Sequence, residues 1–300
     1  MKQNKQPNFI IIGAMKAATT SLYTYLKQHP DVFMTAIKEP MFFNNFKKPN
    51  NFELAGRKTK GITTLKEYYS LFEEVKNEQA IGEASPAYIF NEDAPQLIHE
   101  QLPNTKIIAV LRQPVERAYS NFLHARRADR EPISDFEIAF NKEDERKAAN
   151  WSPLYHYKGK GYYGQQLKRY YKLFPKENIK VILFKDLVKN PTKTCKGIFK
   201  FLNVDNTFTP KTSDKANVSG IPKGVFGWII MKLRYYDLIP NIQFSNYIPD
   251  FILKFLFKTA YKKAESLDQE TITRLTQKHY KEDILKLEKL IKKDLGYWLI

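Results

Sequence analysis

Apolar residues in this chain gather into short unbroken runs separated by amphipathic stretches. Phe9–Ile12, Ala80-Ile81-Gly82, Lys106–Leu111 (KIIAVL) and Lys180–Phe184 (KVILF) are too short for buried helices. None shows the strict alternation of a half-exposed strand, so each reads as a strand buried on both faces. Between them the period changes. In GYYGQQLKRYYKLFP, Tyr163, Leu167, Tyr170 and Phe174 recur at helical spacing and Pro175 ends the run. A helix is expected to open near Ser21 after the first strand, and another at Pro114 after KIIAVL. A third runs from the Asn190-Pro191 pair to Leu202, with asparagine as N-cap and proline in the first turn. Strands alternating with helices predict a P-loop-like three-layer α/β sandwich, a doubly wound parallel sheet flanked by helices, with ligands at the C-terminal ends of its strands.

Two stretches break this rhythm. Residues 44–66 are loop-like and basic, and residues 126–152 carry dense mixed charge, expected as a solvated helix or flap. From about Lys223 the chain turns helical and basic-aromatic. Its 300 residues suit one domain over 1–300, with 225–300 as a helical extension of it.

Composition narrows the classes. A hydrophobic share of 43% supports a packed core, and the net charge of +17 points to anionic partners. A lysine-rich soluble surface is the plainer account of that charge. The single cysteine, Cys195, sits in the apolar pattern Cys195-x3-Phe199-x2-Leu202 and reads as a packed thiol. Five scattered histidines offer no metal-ligand spacing. No signal-type segment and no apolar run of membrane-spanning length stands in the chain, which predicts a cytoplasmic protein.

The candidate chemistry starts at Gly13. A strand runs into the small polar loop Gly13–Thr20 (GAMKAATT) and then a helix, which is the build of a phosphate cradle. A nucleoside-triphosphate loop, G-x-x-x-x-G-K-S/T, would place glycine at 18 and lysine at 19. Here those positions are Ala18 and Thr19, and the lysine comes early, at Lys16. Lys16 can reach a phosphate or a bridging oxygen, backbone amides from Ala17 to Ser21 can hold the others, and Thr19, Thr20 and Ser21 add hydroxyls. An ordinary hydroxyl-capped helix start is the alternative.

Three further constellations accompany the loop. In Lys38-Glu39-Pro40-Met41-Phe42-Phe43, the proline holds Glu39 extended. The phenylalanines are expected to anchor the segment and lower the dielectric about the carboxylate, as a general base requires. A surface Lys38–Glu39 pair accounts equally for the residues alone. Arg112, at the tip of KIIAVL, is a forked donor for a phosphate or carboxylate, with Ser120 about two turns into the next helix. Pairing of Arg112 with Glu116 or Glu83 is the alternative. A kinase or GTPase would want aspartate there to hold Mg²⁺. The loop NVSGIPKG offers Ser219, Gly220, Lys223 and Gly224 as weaker ligand contacts.

Together these residues resemble the sulfotransferases that use 3′-phosphoadenosine 5′-phosphosulfate (PAPS), above all the Golgi glycan branch and related bacterial enzymes. The likeness covers most of the chain. It rests on GAMKAATTSL, HPDV, KEPMFF, GEASPAY, VLRQPVERAYSNF, GYYGQQLKRYYKLFP, NVSGIPKG and LEKLIKKDLGYW in that order. The resemblance implies that Lys16 faces the 5′-phosphosulfate and that Ala17, Ala18, Thr19, Thr20 and Ser21 bind the 5′-phosphate. It implies that Arg112 and Ser120 hold the 3′-phosphate, with Ser219, Gly220, Lys223 and Gly224 adding contacts to the donor. Glu39 matches the catalytic base of the glycan branch. The acceptor implied is a glycan, a glycolipid or another small molecule, with no metal and no nucleic acid involved.

One departure stands out. Glycan sulfotransferases often carry lysine in an E-K-T/S segment, but Glu83 is followed here by Ala84 and Ser85. Lys38 is a candidate replacement cation. Two rival readings remain open: a P-loop nucleotide or small-molecule kinase, and a non-catalytic basic module on membranes or nucleic acid. The second draws on Trp228–Pro240 and on peripheral membrane contact through 225–260.

Overall fold

A computed structural model of the chain describes residues 5–46, 62–128, 130–212, 220–222, 261–263 and 265–300. Its centre is a five-stranded, all-parallel sheet in the order β2-β3-β1-β4-β5. The strands are β1 (Phe9–Gly13), β2 (Val32–Met34), β3 (Ala80–Ala84), β4 (Lys106–Leu111) and β5 (Ile179–Leu183). Four of them are the expected apolar runs, to within two residues at their ends. Every residue of β1 and β3 is buried, as double-sided coverage by helices requires. The fifth strand, β2, lies at the sheet edge, and its three residues VFM are too few to show a period.

Helices alternate with the strands: α1 (Thr19–Leu26), α2 (Phe42–Asn45), α3 (Leu65–Ser70), α4 (Ala94–Gln101) and α5 (Pro114–Arg127). After them come α6 (Phe136–Asn141), α7 (Glu143–Ala148), α8 (Tyr163–Leu173), α9 (Phe184–Lys189) and α10 (Pro191–Leu202). The α5 start combines first-turn Pro114 with the Gln113 side chain, which accepts the Glu116 N–H at 2.8 Å. At α10 the expected cap is incomplete: Asn190 occupies the N-cap position, but its side chain makes no capping bond. Cys195 is buried on that helix, and burial pushes its thiol up to about 12.

The charged 126–152 stretch is helical, as one of the two expectations had it, but it is not wholly solvated. It folds into α6 and α7 over the end of α5, and Glu131, Glu143 and Arg146 are buried. Arg146 grips Glu131 through two bonds of 2.7 Å, and the Tyr157 hydroxyl donates to the same carboxylate at 2.7 Å. A bidentate, hydrogen-bonded pair can enter a core that a lone charge cannot.

The C-terminal part is helical as expected, with α11 (Gln269–His279) and α12 (Lys281–Ile291), and a short antiparallel ladder joins β6 (Gly220–Pro222) to β7 (Tyr261–Lys263). That part is fastened to the sheet domain by hydrogen bonds across long sequence separations. Asp283 of α12 accepts the Gly164 and Gln165 N–H groups at 2.8 and 3.0 Å, capping α8, which has no side-chain cap of its own. A Cβ at Gly164 would stand 2.7 Å from the Asp283 carbonyl oxygen, so the approach needs glycine. Gln113, just before α5, donates to Thr276 of α11 at 2.6 Å. No helix among the described residues is long and apolar enough to cross a membrane.

Candidate active site

The C-terminal end of β1, flanked by β3 and β4, is where this sheet should receive a ligand. At Gly13 a Cβ would lie 2.4 Å from Ile89, so only glycine lets the chain turn there. Lys16 and Ala18 then adopt left-handed backbone, with φ of 66° and 62°. Ala18 occupies the N-cap position of α1 without a side-chain capping bond, and the first intrahelical bond runs from Leu22 N–H to Ala18. The amides of Thr19, Thr20 and Ser21 therefore open the helix with no intrahelical acceptor, the arrangement that binds anions. One expected member leaves the set: the Ala17 N–H bonds the Ala14 carbonyl at 3.2 Å and turns inward.

Lys16 is where the site's charges meet. Burial lowers its ammonium pKa to about 8, and Arg127, Arg112 and Arg117 push the same way, while Glu39 alone favours the charged form. The loop lysine thus lies within electrostatic reach of cations from α5 and from the tip of β4.

Two of those cations, Arg117 and Arg127, lie on α5. Arg117, Ser120, His124 and Arg127 recur at steps of three and four along α5, so they project on one side. Ser120 is half-buried there. Burial first, then Lys16, Arg127, Arg130 and Lys160, push His124 down to about 4, so its ring is neutral at pH 7. Its Nδ1 lies 3.2 Å from an Arg127 amino group and can accept from it. Arg112 departs from the strand tip as expected, and of the two pairings weighed for it the one with Glu116 forms. Its Nε donates to Glu116 at 2.9 Å, and its guanidinium lies over the Phe184 ring at 4.7 Å. The sequence reading missed Arg117, His124, Arg127 and the buried Lys160; the three-and-four spacing on α5 was the signal for the first three.

Glu39 reaches this assembly from the β2–α2 connection. Its side chain is 39% exposed and ion-paired to Lys38, so the surface pair is real. The phenylalanines anchor the segment without enclosing that carboxylate: Phe42 stacks on Tyr68 at 4.5 Å, and Phe43 packs edge-on to Tyr68 and Tyr88. The apolar shell expected about Glu39 closes instead on Glu83 at the end of β3, whose side chain is fully buried. Burial raises Glu83 to about 7, against the hydroxyls of Ser85, Tyr88 and Tyr68. Arg112 does not pair with it.

Gly220 lies in β6, which packs beside α5 and so comes near the Ser120 helix. Ser219, Lys223, Gly224 and the Trp228–Pro240 segment lie outside the described residues. No cluster of three or more potential metal ligands occurs among the described residues.

A parallel sheet with a phosphate loop after its central strand, faced by an arginine-bearing helix, defines an α/β protein of the phosphate-loop class. The comparisons narrow it. The sulfotransferase family model matches residues 7–210, more than half of the chain, and the chain belongs to that family. A sulfotransferase from Alicyclobacillus acidocaldarius superposes with a TM-score of 0.74 at 31% identity, covering 98% of each chain. Human heparan sulfate glucosamine 3-O-sulfotransferase 6 is 28% identical over 207 residues, covering 68% of this chain and 54% of its own length. The membrane-associated sulfotransferase kil1 of Dictyostelium discoideum is 35% identical over 116 residues, covering 39% of this chain and 22% of its own length. The chain thus spans between 22% and 54% of these two curated relatives.

Proposed function

We propose that this chain transfers the sulfuryl group of PAPS to a hydroxyl or amine of a glycan or glycolipid acceptor. The observation that carries the reading is that Arg112, Arg117, Arg127 and Glu39 all lie within electrostatic reach of Lys16 in the loop after the central strand. Several cations near an anion-binding loop suit a donor with phosphates at two positions, and a carboxylate that also feels the lysine suits a base. The α1 amides and the hydroxyls of Thr19, Thr20 and Ser21 hold the 5′-phosphate, and Arg112 and Ser120 hold the 3′-phosphate. The family resemblance adds Ser219, Gly220, Lys223 and Gly224 as further contacts to the donor.

The step is an in-line displacement. The acceptor oxygen or nitrogen forms a bond to sulfur as the bond from sulfur to the phosphate oxygen breaks. The acceptor proton passes to Glu39, and 3′-phosphoadenosine 5′-phosphate (PAP) departs with its new charge held by Lys16 and the loop amides. Positioning and fixed dipoles supply the catalysis, with no metal required. Lys38, beside Glu39, is the candidate for the cation that position 84 lacks. The glycan acceptor rests on relatives named for heparan sulfate.

Incubation with ³⁵S-labelled PAPS and fractionated polysaccharide, glycolipid and small-molecule pools tests the reading. Label is expected in a glycan-bearing pool; label confined to small molecules, or none in any pool, would overturn the acceptor assignment.

A further inference from the structure

The Glu39 segment is held in a costly conformation. Against the extended geometry expected of a residue before proline, Glu39 has left-handed backbone, with φ of 61°, and Met41, after Pro40, has it too, with φ of 53°. Non-glycine residues in this region are strained and persist only where the surroundings enforce them. Pro40 has no N–H, so the backbone donors of this tripeptide are the Glu39 and Met41 amides. Both are taken by the two residues that follow Glu83. Glu39 N–H donates to the Ala84 carbonyl at 3.1 Å, and Met41 N–H donates to Ser85 Oγ at 3.0 Å. The Ser85 hydroxyl in turn donates to Glu83 Oε2 at 2.8 Å. That bond fixes the hydroxyl proton towards Glu83 and leaves the oxygen lone pairs for Met41.

Glu83 is an unusual group to bury. Its partners are hydroxyls, from Ser85 and, at 3.5 Å, from Tyr68, and among the described residues no ion pair reaches it. A carboxylate without a cationic partner weakens a core unless it does something else. Tyr88 belongs to the same cluster and its hydroxyl accepts the Phe43 N–H at 3.3 Å, one step further along the segment.

We infer that Glu83, acting through the Ser85 hydroxyl, is the positioning residue that holds the Glu39–Met41 segment in its left-handed geometry and so aims Glu39 at Lys16. The inference rests on Glu39 being the base of the proposed transfer. It concerns residues that touch no substrate: Glu83 sets Ser85, Ser85 sets Met41, and Met41 sets Glu39.

The test compares wild type with Ser85→Ala, Ser85→Thr and the near-isosteric Glu83→Gln. Three readings are taken: hydrogen exchange of the Glu39 and Met41 amides, PAP affinity by calorimetry, and release of labelled sulfate from PAPS to water. In that release water supplies the attacking oxygen, its proton passes to Glu39, and the sulfur–phosphate oxygen bond breaks. Ser85→Ala is expected to speed exchange by about tenfold. It should slow sulfate release by about a hundredfold, as a misaimed base does, with PAP affinity and the KM for PAPS kept. Ser85→Thr, which keeps a hydroxyl, should restore both, and Glu83→Gln should fall between. Unchanged exchange and release in Ser85→Ala would overturn the inference, as would PAP affinity falling in step with rate. If wild type neither binds PAP nor releases sulfate, the sulfotransferase reading itself fails, and the exchange data still decide whether the clamp exists.

Discussion

Glu39→Gln should lower sulfuryl transfer by about 10²–10⁴-fold, the span expected when a positioned general base is removed. PAP affinity should stay within about twofold of wild type, because in the proposed mode the loop and α5 hold the donor and Glu39 does not. The amide is nearly isosteric and leaves the Glu39 N–H bond to Ala84 in place, so the segment keeps its shape. The variant also frees Lys38 from its ion pair. Steady-state rates and calorimetry on the same preparations check both halves. Near-normal turnover in Glu39→Gln would remove Glu39 as the base. Parallel loss of rate and PAP binding would make it a donor contact instead.

Lys16→Met should cost about 10²–10³-fold in turnover, as loss of a donor aimed at developing charge does. Unlike Glu39→Gln, it should also weaken PAP, because in the proposed mode the lysine meets the 5′-phosphate in the ground state. The pH dependence separates the two further. Burial and neighbouring arginines bring the free Lys16 ammonium down to about 8, so its charge is present below that pH and lost above it. PAP affinity in wild type should therefore decline as pH rises through about 8, and this limb should be absent from Lys16→Met. His124, already neutral at pH 7, contributes no limb in that range. An unchanged limb in the variant would assign it to another group.

What could be read in the sequence follows the range of the interactions. β1, β4 and β5 were legible because a strand covered on both faces is a continuous apolar run, and Pro114 and Pro175 punctuate their flanking helices. β2 was not, since three edge residues carry no period. The burial of Glu131 and Arg146 was hidden because they lie fifteen positions apart, and counting charges cannot reveal a pair formed through folding. The loop of the site was legible for local reasons: glycine, lysine and hydroxyls lie within nine residues. The α5 face was written in its spacing and overlooked, because only Arg112 and Ser120 answered to a motif. Glu83 stood next to the noted departure at Ala84, yet its role depends on Tyr68, Ser85 and Met41, which only the fold assembles.

The central claim is that this phosphate loop, with its early lysine and facing arginines, takes the 3′,5′-bisphosphate of a sulfuryl donor. Calorimetric titration with PAP and with ATP, each with and without Mg²⁺, tests it most directly. The account predicts PAP binding in the absence of Mg²⁺ and tighter than ATP under every condition. Mg²⁺-dependent preference for ATP would contradict it and restore the kinase reading; binding of neither nucleotide would contradict it in favour of a non-catalytic basic module.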